Sequence, residues 1–378
     1  MPDFDTRTPQ ESNEPTNRVR TQVVANKLRT LLIGGGILLF AVMIPVGLFI
    51  SSPGWLWPGD QRMVGETPDG EVPKNGRIAF TSYSRGIPNI YVMNADGTHQ
   101  KRITNIGDGG AFEPAWAPDG KTIAFTVQRP STGEMNISVL SADGTLRELQ
   151  SHSSQSMNPI WSPNGTKLAV SSMPPQSAIR DIYIMGSDGS NPINLTKTPE
   201  HDEVFPAFSP NGSQICFVRD SDIYVMNADG SDPTPLADEH LASEGCDWSP
   251  DGTKIAFTYI QGGTEDIYVI NADGSGQTNL TRTNTESERD PDWSPDGTRI
   301  AFERGTNEDV DIYTMNPNGS GVAQLTHSHA ADLDPDWQPQ PRPTHEKSRR
   351  VTVHPPDTGG PSLLLVASAL LFSVGHLL

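Results

Sequence analysis

Acidic side chains recur in this 378-residue sequence at set distances before a series of Trp and Phe residues. They stand one, three or five residues ahead of the aromatic residue. These candidate site residues are Glu113, Glu203, Asp247, Glu288, Asp290, Asp292, Asp332, Asp334 and Asp336. Grouped carboxylates lower the local electrostatic potential and attract a metal ion or a basic peptide. The pattern predicts a binding site for a cationic ligand, and a solvated acidic rim is the alternative.

Two other patterns are weaker candidates for metal sites. An Asp-Gly pair recurs in five equivalent turns, but no glutamate follows at the distance that a calcium loop needs, so we interpret these pairs as hairpin turns. Their aspartates are Asp96, Asp143, Asp188, Asp229 and Asp273. His327 and His329 would share one face of a strand, which suits a transition metal, but we expect them in a loop after Leu325-Thr326. The sequence therefore predicts no metal centre and no cofactor.

The aromatic residues mark an internal repeat with a spacing of 40 to 47 residues, a period typical of propeller blades. They are Trp116, Trp161, Phe208, Trp248, Trp293 and Trp337. Each period predicts four short strands: one ends at the aromatic residue, the second contains Ile-Ala-Phe, the third reads Asp-Ile-Tyr-Val-Met, and the fourth closes at Leu-Thr. Turns of the S-P-D-G and N-A-D-G types join them.

The strings WSPDG and DIYVMNADG, at 293–297 and 222–230, recur around the repeat with small changes. They resemble the propeller repeats of TolB, the periplasmic component of the Tol system, over residues 76–340. The resemblance implies an all-β fold, a six-bladed β-propeller, in which the first strand of each blade lines a central channel. The acids ahead of Trp248, Trp293 and Trp337 would then form a crescent of unpaired carboxylates at one channel mouth.

The two ends of the repeat predict how the ring closes. The first period begins at Arg77 with its Ile-Ala-Phe strand and lacks a Trp strand of its own, whereas the last Trp strand, at Trp337, has no partner strands after it. If the Trp337 strand completes the first blade, the ring has six blades of four strands. Such closure removes the exposed sheet edges of a linear array.

Cys216 and Cys246 are the two cysteines of the chain, too few for a disulfide scaffold. The sequence favours two small core residues. A disulfide between adjacent blades in an oxidising compartment is the alternative.

Apolar segments flank the repeat. Residues 31–50 are uncharged and span a bilayer at about 1.5 Å per residue, with basic residues before them and Trp55 and Trp57 after them. A cleaved signal peptide is the alternative there, and Pro355–Gly360 resembles a Gram-positive cell-wall sorting signal. We predict a cytoplasmic leader over 1–30, a transmembrane signal anchor over 31–52, a linker over 53–75, the propeller over 76–340, a linker over 341–361 and a hydrophobic C-terminal anchor over 362–378.

Charge narrows the choice of partner. The net charge is −19, and residues 31–340 hold −22 because both flanks are slightly basic, which excludes nucleic acid as a partner.

We predict a non-catalytic binding propeller outside the cell membrane, with an envelope protein, a peptide (basic ones included) or a polysaccharide as its ligand. A metal-dependent propeller enzyme of the lyase or lactonase type and a membrane-bound sensor are the alternatives. The nucleophile motif G-x-S-x-G of hydrolases does not occur.

Overall fold

Burial and turn chemistry decide the secondary structure of each repeat. The Ile-Ala-Phe strands are buried along most of their length, as in Ile123–Arg129, whose first five residues are all buried. The Ser-Pro-Asp-Gly turns hold their glycine at positive φ, 71° at Gly252, where a side chain would be strained. Short antiparallel strands joined by tight turns are the result.

The computed structural model describes residues 75–340 except 108, 150–152, 154, 237–242, 262, 284 and 307–308. Within these residues no helix has both the length and the apolar character needed to cross a membrane. The predicted leader, the transmembrane anchor, the C-terminal anchor and, apart from residue 75, both linkers lie outside the described residues.

The described residues form six antiparallel sheets of four strands, which are the six predicted blades. Blade 1 contains, in sheet order, β24 (Asp332–Trp337), β1 (Arg77–Ser82), β2 (Asn89–Asn94) and β3 (Lys101–Arg102). Blade 2 contains β4 (Gly110–Trp116), β5 (Ile123–Arg129), β6 (Glu134–Leu140) and β7 (Leu146–Glu148). Blade 3 contains β8 (Ser156–Trp161), β9 (Lys167–Ser172), β10 (Asp181–Gly186) and β11 (Ile193–Asn194).

The other three blades repeat this order. Blade 4 contains β12 (Glu203–Phe208), β13 (Gln214–Arg219), β14 (Asp222–Asn227) and β15 (Thr234–Pro235). Blade 5 contains β16 (Ser243–Trp248), β17 (Lys254–Gln261), β18 (Thr264–Asn271) and β19 (Thr278–Asn279). Blade 6 contains β20 (Ser287–Trp293), β21 (Ile300–Thr306), β22 (Asp309–Met315) and β23 (Ala323–Gln324).

Apolar side chains from neighbouring blades share the core. Trp116 of blade 2 packs in one cluster with Ala79 and Ile90 of blade 1, and Trp293 of blade 6 packs with Val269 of blade 5. Full burial of one such large side chain contributes about 1.5–3 kcal/mol. The phenylalanines of the second strands are at most 1% exposed, and they are Phe80, Phe125, Phe217, Phe257 and Phe302.

The predicted closure is confirmed. Strand β24 pairs antiparallel with β1, placing Trp337 opposite Ile78 and Asp332 opposite Ser82. The last strand of the repeat therefore completes the first blade.

The two cysteines correct a prediction, because Cys216 and Cys246 form a disulfide rather than two separate core residues. Cys216 lies in the second strand of blade 4 and Cys246 in the first strand of blade 5, and these two strands pack against each other. The bond covalently links neighbouring blades.

A chain that ends at Leu325 loses β24 and should be strongly destabilised, because blade 1 then exposes the edge of β1 and its buried face. Thermal unfolding should show a melting temperature far below that of the full chain, or no cooperative transition. A chain that ends at Gln340, which keeps β24, is the control and should melt like the full chain. Equal melting of the Leu325 and Gln340 chains would contradict this closure.

Candidate functional site

The inner strands, β4, β8, β12, β16, β20 and β24, are each the first strand of a blade and lie at the edge of their sheet. Consecutive inner strands contact each other around the ring, and they enclose the channel. A strand with one unpaired edge leaves backbone N–H groups that need acceptors from elsewhere.

Every inner strand bulges three residues before its aromatic residue, where its register with the second strand shifts. The bulged residue has a positive φ, 71° for Gly245 and between 48° and 55° for the five that are not glycine. Such a φ is uncommon outside glycine and is most strained for Glu113 and Phe205, and backbone strain concentrates at functional sites. The five residues are Glu113, Asn158, Phe205, Asp290 and Asp334.

The channel contains a cavity of about 140 Å³. It is lined in every blade by the three residues that precede the aromatic one, so the bulged residues all contribute to it. Six of the nine predicted site residues lie here: Glu113, Asp247, Asp290, Asp292, Asp334 and Asp336. The structure therefore brings two thirds of the predicted set together around one small space.

The carboxylates next to the aromatic residues are not unpaired, which corrects the expectation from the sequence. Each accepts the backbone N–H of the Trp in the next blade. Asp247 Oδ2 lies 2.8 Å from the nitrogen of Trp293, and Asp292 Oδ2 lies 2.6 Å from the nitrogen of Trp337. Asp336 Oδ2 lies 2.7 Å from the nitrogen of Trp116. These carboxylates fasten neighbouring blades together.

The bulged residues are linked in a similar way. The N–H of Asn158 donates to Glu113 Oε2 at 2.8 Å, and its Nδ2 donates to Glu113 Oε1 at 2.8 Å. The N–H of Glu113 lies 3.2 Å from Asp334 Oδ2, which also accepts the hydroxyl of Thr81 at 2.7 Å. The bulges at Glu113 and Asn158 are thus each held by the blade before them.

Glu303 is a site residue that the sequence analysis missed. It is 2% exposed, and its Oε1 accepts the N–H of Asp334 at 2.7 Å. One carboxylate oxygen from each of Asp290, Glu303 and Asp334 lies within 4.8 Å of the other two. The signal in the sequence is substitution within the repeat, because four of the other five blades have Thr or Ser at the position of Glu303 and blade 4 has Val218.

A buried arginine stands beside this group. Arg289 is 9% exposed, and its Nε lies 3.9 Å from Glu303 Oε2 and 3.4 Å from Glu265 Oε2. Its positive charge offsets part of the negative charge of the channel.

The other three predicted residues, Glu203, Glu288 and Asp332, do not line the cavity. They are at most 1% exposed and are the first or second residue of their inner strands, where nearby hydroxyl and guanidinium groups hold them. Arg219 Nε lies 2.9 Å from Glu203 Oε1, and Thr283 Oγ1 donates to Glu288. Burial raises the pKa of both glutamates to about 7. Their hydrogen bonds indicate a structural role.

Burial also raises the pKa of the channel acids. Loss of solvent raises the pKa of Glu113 and of Glu303 to about 7 and that of Asp247 to about 6. Burial raises the pKa of Asp292 well above its usual value, and repulsion from Asp247 and Asp336 adds to this. Near neutral pH the channel acids therefore populate both their protonated and their charged forms.

The two weaker metal patterns fold as predicted. The Asp-Gly pairs lie in turns, where for example Asp229 Oδ1 accepts the N–H and the hydroxyl of Ser231 at 2.9 and 2.7 Å. His327 and His329 are exposed and lie in the loop between β23 and β24.

The sequence was compared with known protein families and with curated proteins. The family described as the dipeptidyl peptidase IV (DPP IV) N-terminal region matches residues 176–259, less than half of the chain. No curated protein shows significant similarity to the sequence.

Solved structures give broader matches. TolB from Acinetobacter baumannii has a TM-score of 0.59 at 21% identity, over 70% of this chain and 67% of that chain. A putative TolB from Agrobacterium tumefaciens has a TM-score of 0.56 at 23% identity, over 69% of this chain and 91% of that chain. A chain of the nidogen/laminin complex has a TM-score of 0.57 at 12% identity, over 69% of this chain and 98% of that chain.

The sheets, the ring closure and these matches define an all-β protein, a six-bladed β-propeller. Its fold is that of the TolB-like propellers, as the repeat motifs predict.

The raised pKa values predict that the propeller loses stability as the pH rises from about 5.5 to about 7.5. Unfolded carboxyl groups titrate near pH 4, so the folded state holds more protons in this window and is favoured at its acidic end. Asp292→Asn removes one such group but keeps an oxygen for the N–H of Trp337. Thermal unfolding against pH should therefore give a flatter curve for D292N than for the unmodified chain.

Asp273→Asn is the matched control, because hydrogen bonds from Ser275 lower the pKa of this exposed turn aspartate. D273N should leave the slope unchanged. A chain that gains stability across this window, or equal slopes for the unmodified chain and D292N, would refute the prediction.

Proposed function

We propose that this chain is a non-catalytic binding module outside the cytoplasm, at the cell envelope, whose acidic channel holds a cationic segment of a protein or peptide. The observation that carries the proposal is the group of six carboxyl side chains that line the cavity. Arg289 is the cationic side chain within ion-pair distance of Glu303, so a basic ligand would find a strong excess of negative charge.

The chemistry of the cavity favours a basic peptide over the other ligand classes considered. A neutral polysaccharide would leave the partly buried carboxylates without a counter-charge, which is costly in a site of reduced dielectric constant. A basic side chain would supply that charge together with hydrogen-bond donors. The nidogen/laminin match adds that a propeller of similar fold occurs in a complex between proteins.

Two observations support a location outside the cytoplasm. The Cys216–Cys246 disulfide suits an oxidising compartment. The uncharged run of residues 31–50 with its basic flank suits a signal anchor that leaves the propeller outside.

A metal-dependent enzyme is the second candidate, and one observation favours it. The oxygens of Asp290, Glu303 and Asp334 lie close enough together to hold a cation such as Ca²⁺ after small adjustments. The fold does not decide between the two, because one fold serves many functions.

The binding proposal predicts that Asp290→Asn with Asp334→Asn weakens the binding of a fluorescein-labelled pentalysine peptide to the full chain by about tenfold or more. Asparagine tolerates the positive φ at both positions and retains an acceptor oxygen, so the fold should persist. Fluorescence anisotropy at low salt measures the affinity, and a thermal melt checks the fold.

The control is Asp188→Asn with Asp229→Asn, which removes two charges from exposed turns and should change the affinity by less than about twofold. Equal weakening in both double variants would mean diffuse surface attraction and would contradict a channel site. Elemental analysis tests the second candidate. One equivalent of metal that survives dialysis, is lost in D290N/D334N, and leaves peptide binding unchanged on removal would favour the enzyme over the binding module.

A further inference from the structure

The cavity in the channel has two chemically different halves. Six blades close the circle, so blades 5, 6 and 1 stand across the channel from blades 2, 3 and 4. The first half contributes five aspartates: Asp247, Asp290, Asp292, Asp334 and Asp336. The second half is mainly uncharged and contributes Ala115, Asn158, Ile160, Phe205 and Ala207, with Glu113 as its one acid.

Glu113 is held by neighbouring side chains of blades 2 and 3. Its carboxylate accepts three hydrogen bonds, two from Asn158 and one from the hydroxyl of Thr126 at 2.7 Å. The cavity is therefore acidic on one side and apolar on the other.

Two observations identify the cation that suits the acidic side. Oxygens 2.8 Å from a tetrahedral nitrogen lie about 4.6 Å apart, a spacing that the group of Asp290, Glu303 and Asp334 allows because its oxygens lie within 4.8 Å of one another. Asn158 Oδ1, in the cavity lining, is buried and accepts no hydrogen bond within the part of the chain that the structure describes. An ammonium group brings three donors for such acceptors.

The size of the cavity limits the rest of the ligand. A volume of about 140 Å³ is close to that of a cavity that holds one benzene-sized molecule, so a short alkyl chain with a charged end fits. A bare metal ion would leave the apolar wall at Ile160 and Phe205 unused. A guanidinium pairs best with both oxygens of one carboxylate, but Asp334 Oδ2 and Glu303 Oε1 already accept hydrogen bonds from within the chain.

We infer that the channel recognises a primary alkylammonium group, the side chain of a lysine, with its stem against Ile160 and Phe205 and its nitrogen beside Asp290 and Asp334, in front of the buried Glu303. This inference rests on the proposed function and specifies its ligand.

Calorimetric titration of the full chain with n-butylammonium, ammonium and n-butanol separates the two halves of the cavity. The n-butylammonium ion should bind at least about tenfold more tightly than ammonium, because its methylene groups leave water. The neutral n-butanol should show no detectable binding, because it leaves the acids without a counter-charge.

Two substitutions test the apolar wall, and each copies a residue that another blade has at the same position. Ile160→Ala copies Ala207, and Phe205→Asn copies Asn158, so both should fold, which a thermal melt verifies. Each should reduce the preference for n-butylammonium over ammonium by about threefold or more while the affinity for ammonium stays the same.

The results distinguish this inference from the function on which it rests. Equal affinities for ammonium and n-butylammonium, or a preference unchanged in both I160A and F205N, would overturn the lysine assignment and leave a cation-binding channel. If neither these ions nor the pentalysine peptide bind, the proposed function fails as well.

Discussion

The free inner edge of each blade is the constraint on which the rest of the structure depends. A strand that faces the channel has backbone N–H groups without a partner in its own sheet, and a buried N–H without an acceptor is costly. The preceding blade supplies the acceptor. For the Trp residues of blades 6, 1 and 2 it is a carboxylate, that of Asp247, Asp292 or Asp336, and for the bulged Asp290 it is the hydroxyl of Thr258. The blade-to-blade contact is therefore polar at the axis and apolar further out.

This arrangement explains why the channel is both strained and acidic. Carboxylates that fasten the ring must lie close together around its axis, where burial and mutual repulsion raise the pKa of Asp292 and of Asp336. The bulges hold non-glycine residues at positive φ and bring Asp290 and Asp334 into the cavity lining. Both features cost stability, and the closed ring with its well-packed core tolerates them. A site that binds a cation gains from the same charge that the fold has to accommodate.

The sequence predicts the fold almost completely and the site in part. A period marked six times, with turn motifs at fixed places, determines the blades and even the closing strand at Trp337, because local pattern and ring closure agree. No local motif indicates which residues of different blades form hydrogen bonds with each other. Hence the sequence shows neither that Asp336 accepts a backbone N–H from blade 2 nor that Glu203 and Glu288 do not line the cavity. The sequence analysis misses Glu303 as a site residue and disfavours the Cys216–Cys246 bond for the same reason. Both depend on which strands of different blades meet.

The central claim is that the buried carboxylates of the channel are themselves the cation site. Proton exchange on binding tests it most directly. Calorimetric titration of the full chain with n-butylammonium at about pH 6.5, in phosphate and in imidazole buffers, reports the protons exchanged, because the ionisation enthalpies of these buffers differ. Carboxyl groups with raised pKa values must ionise to receive the cation, so the account predicts release of protons to the buffer and a binding enthalpy that depends on it. Binding with the same enthalpy in both buffers would contradict it.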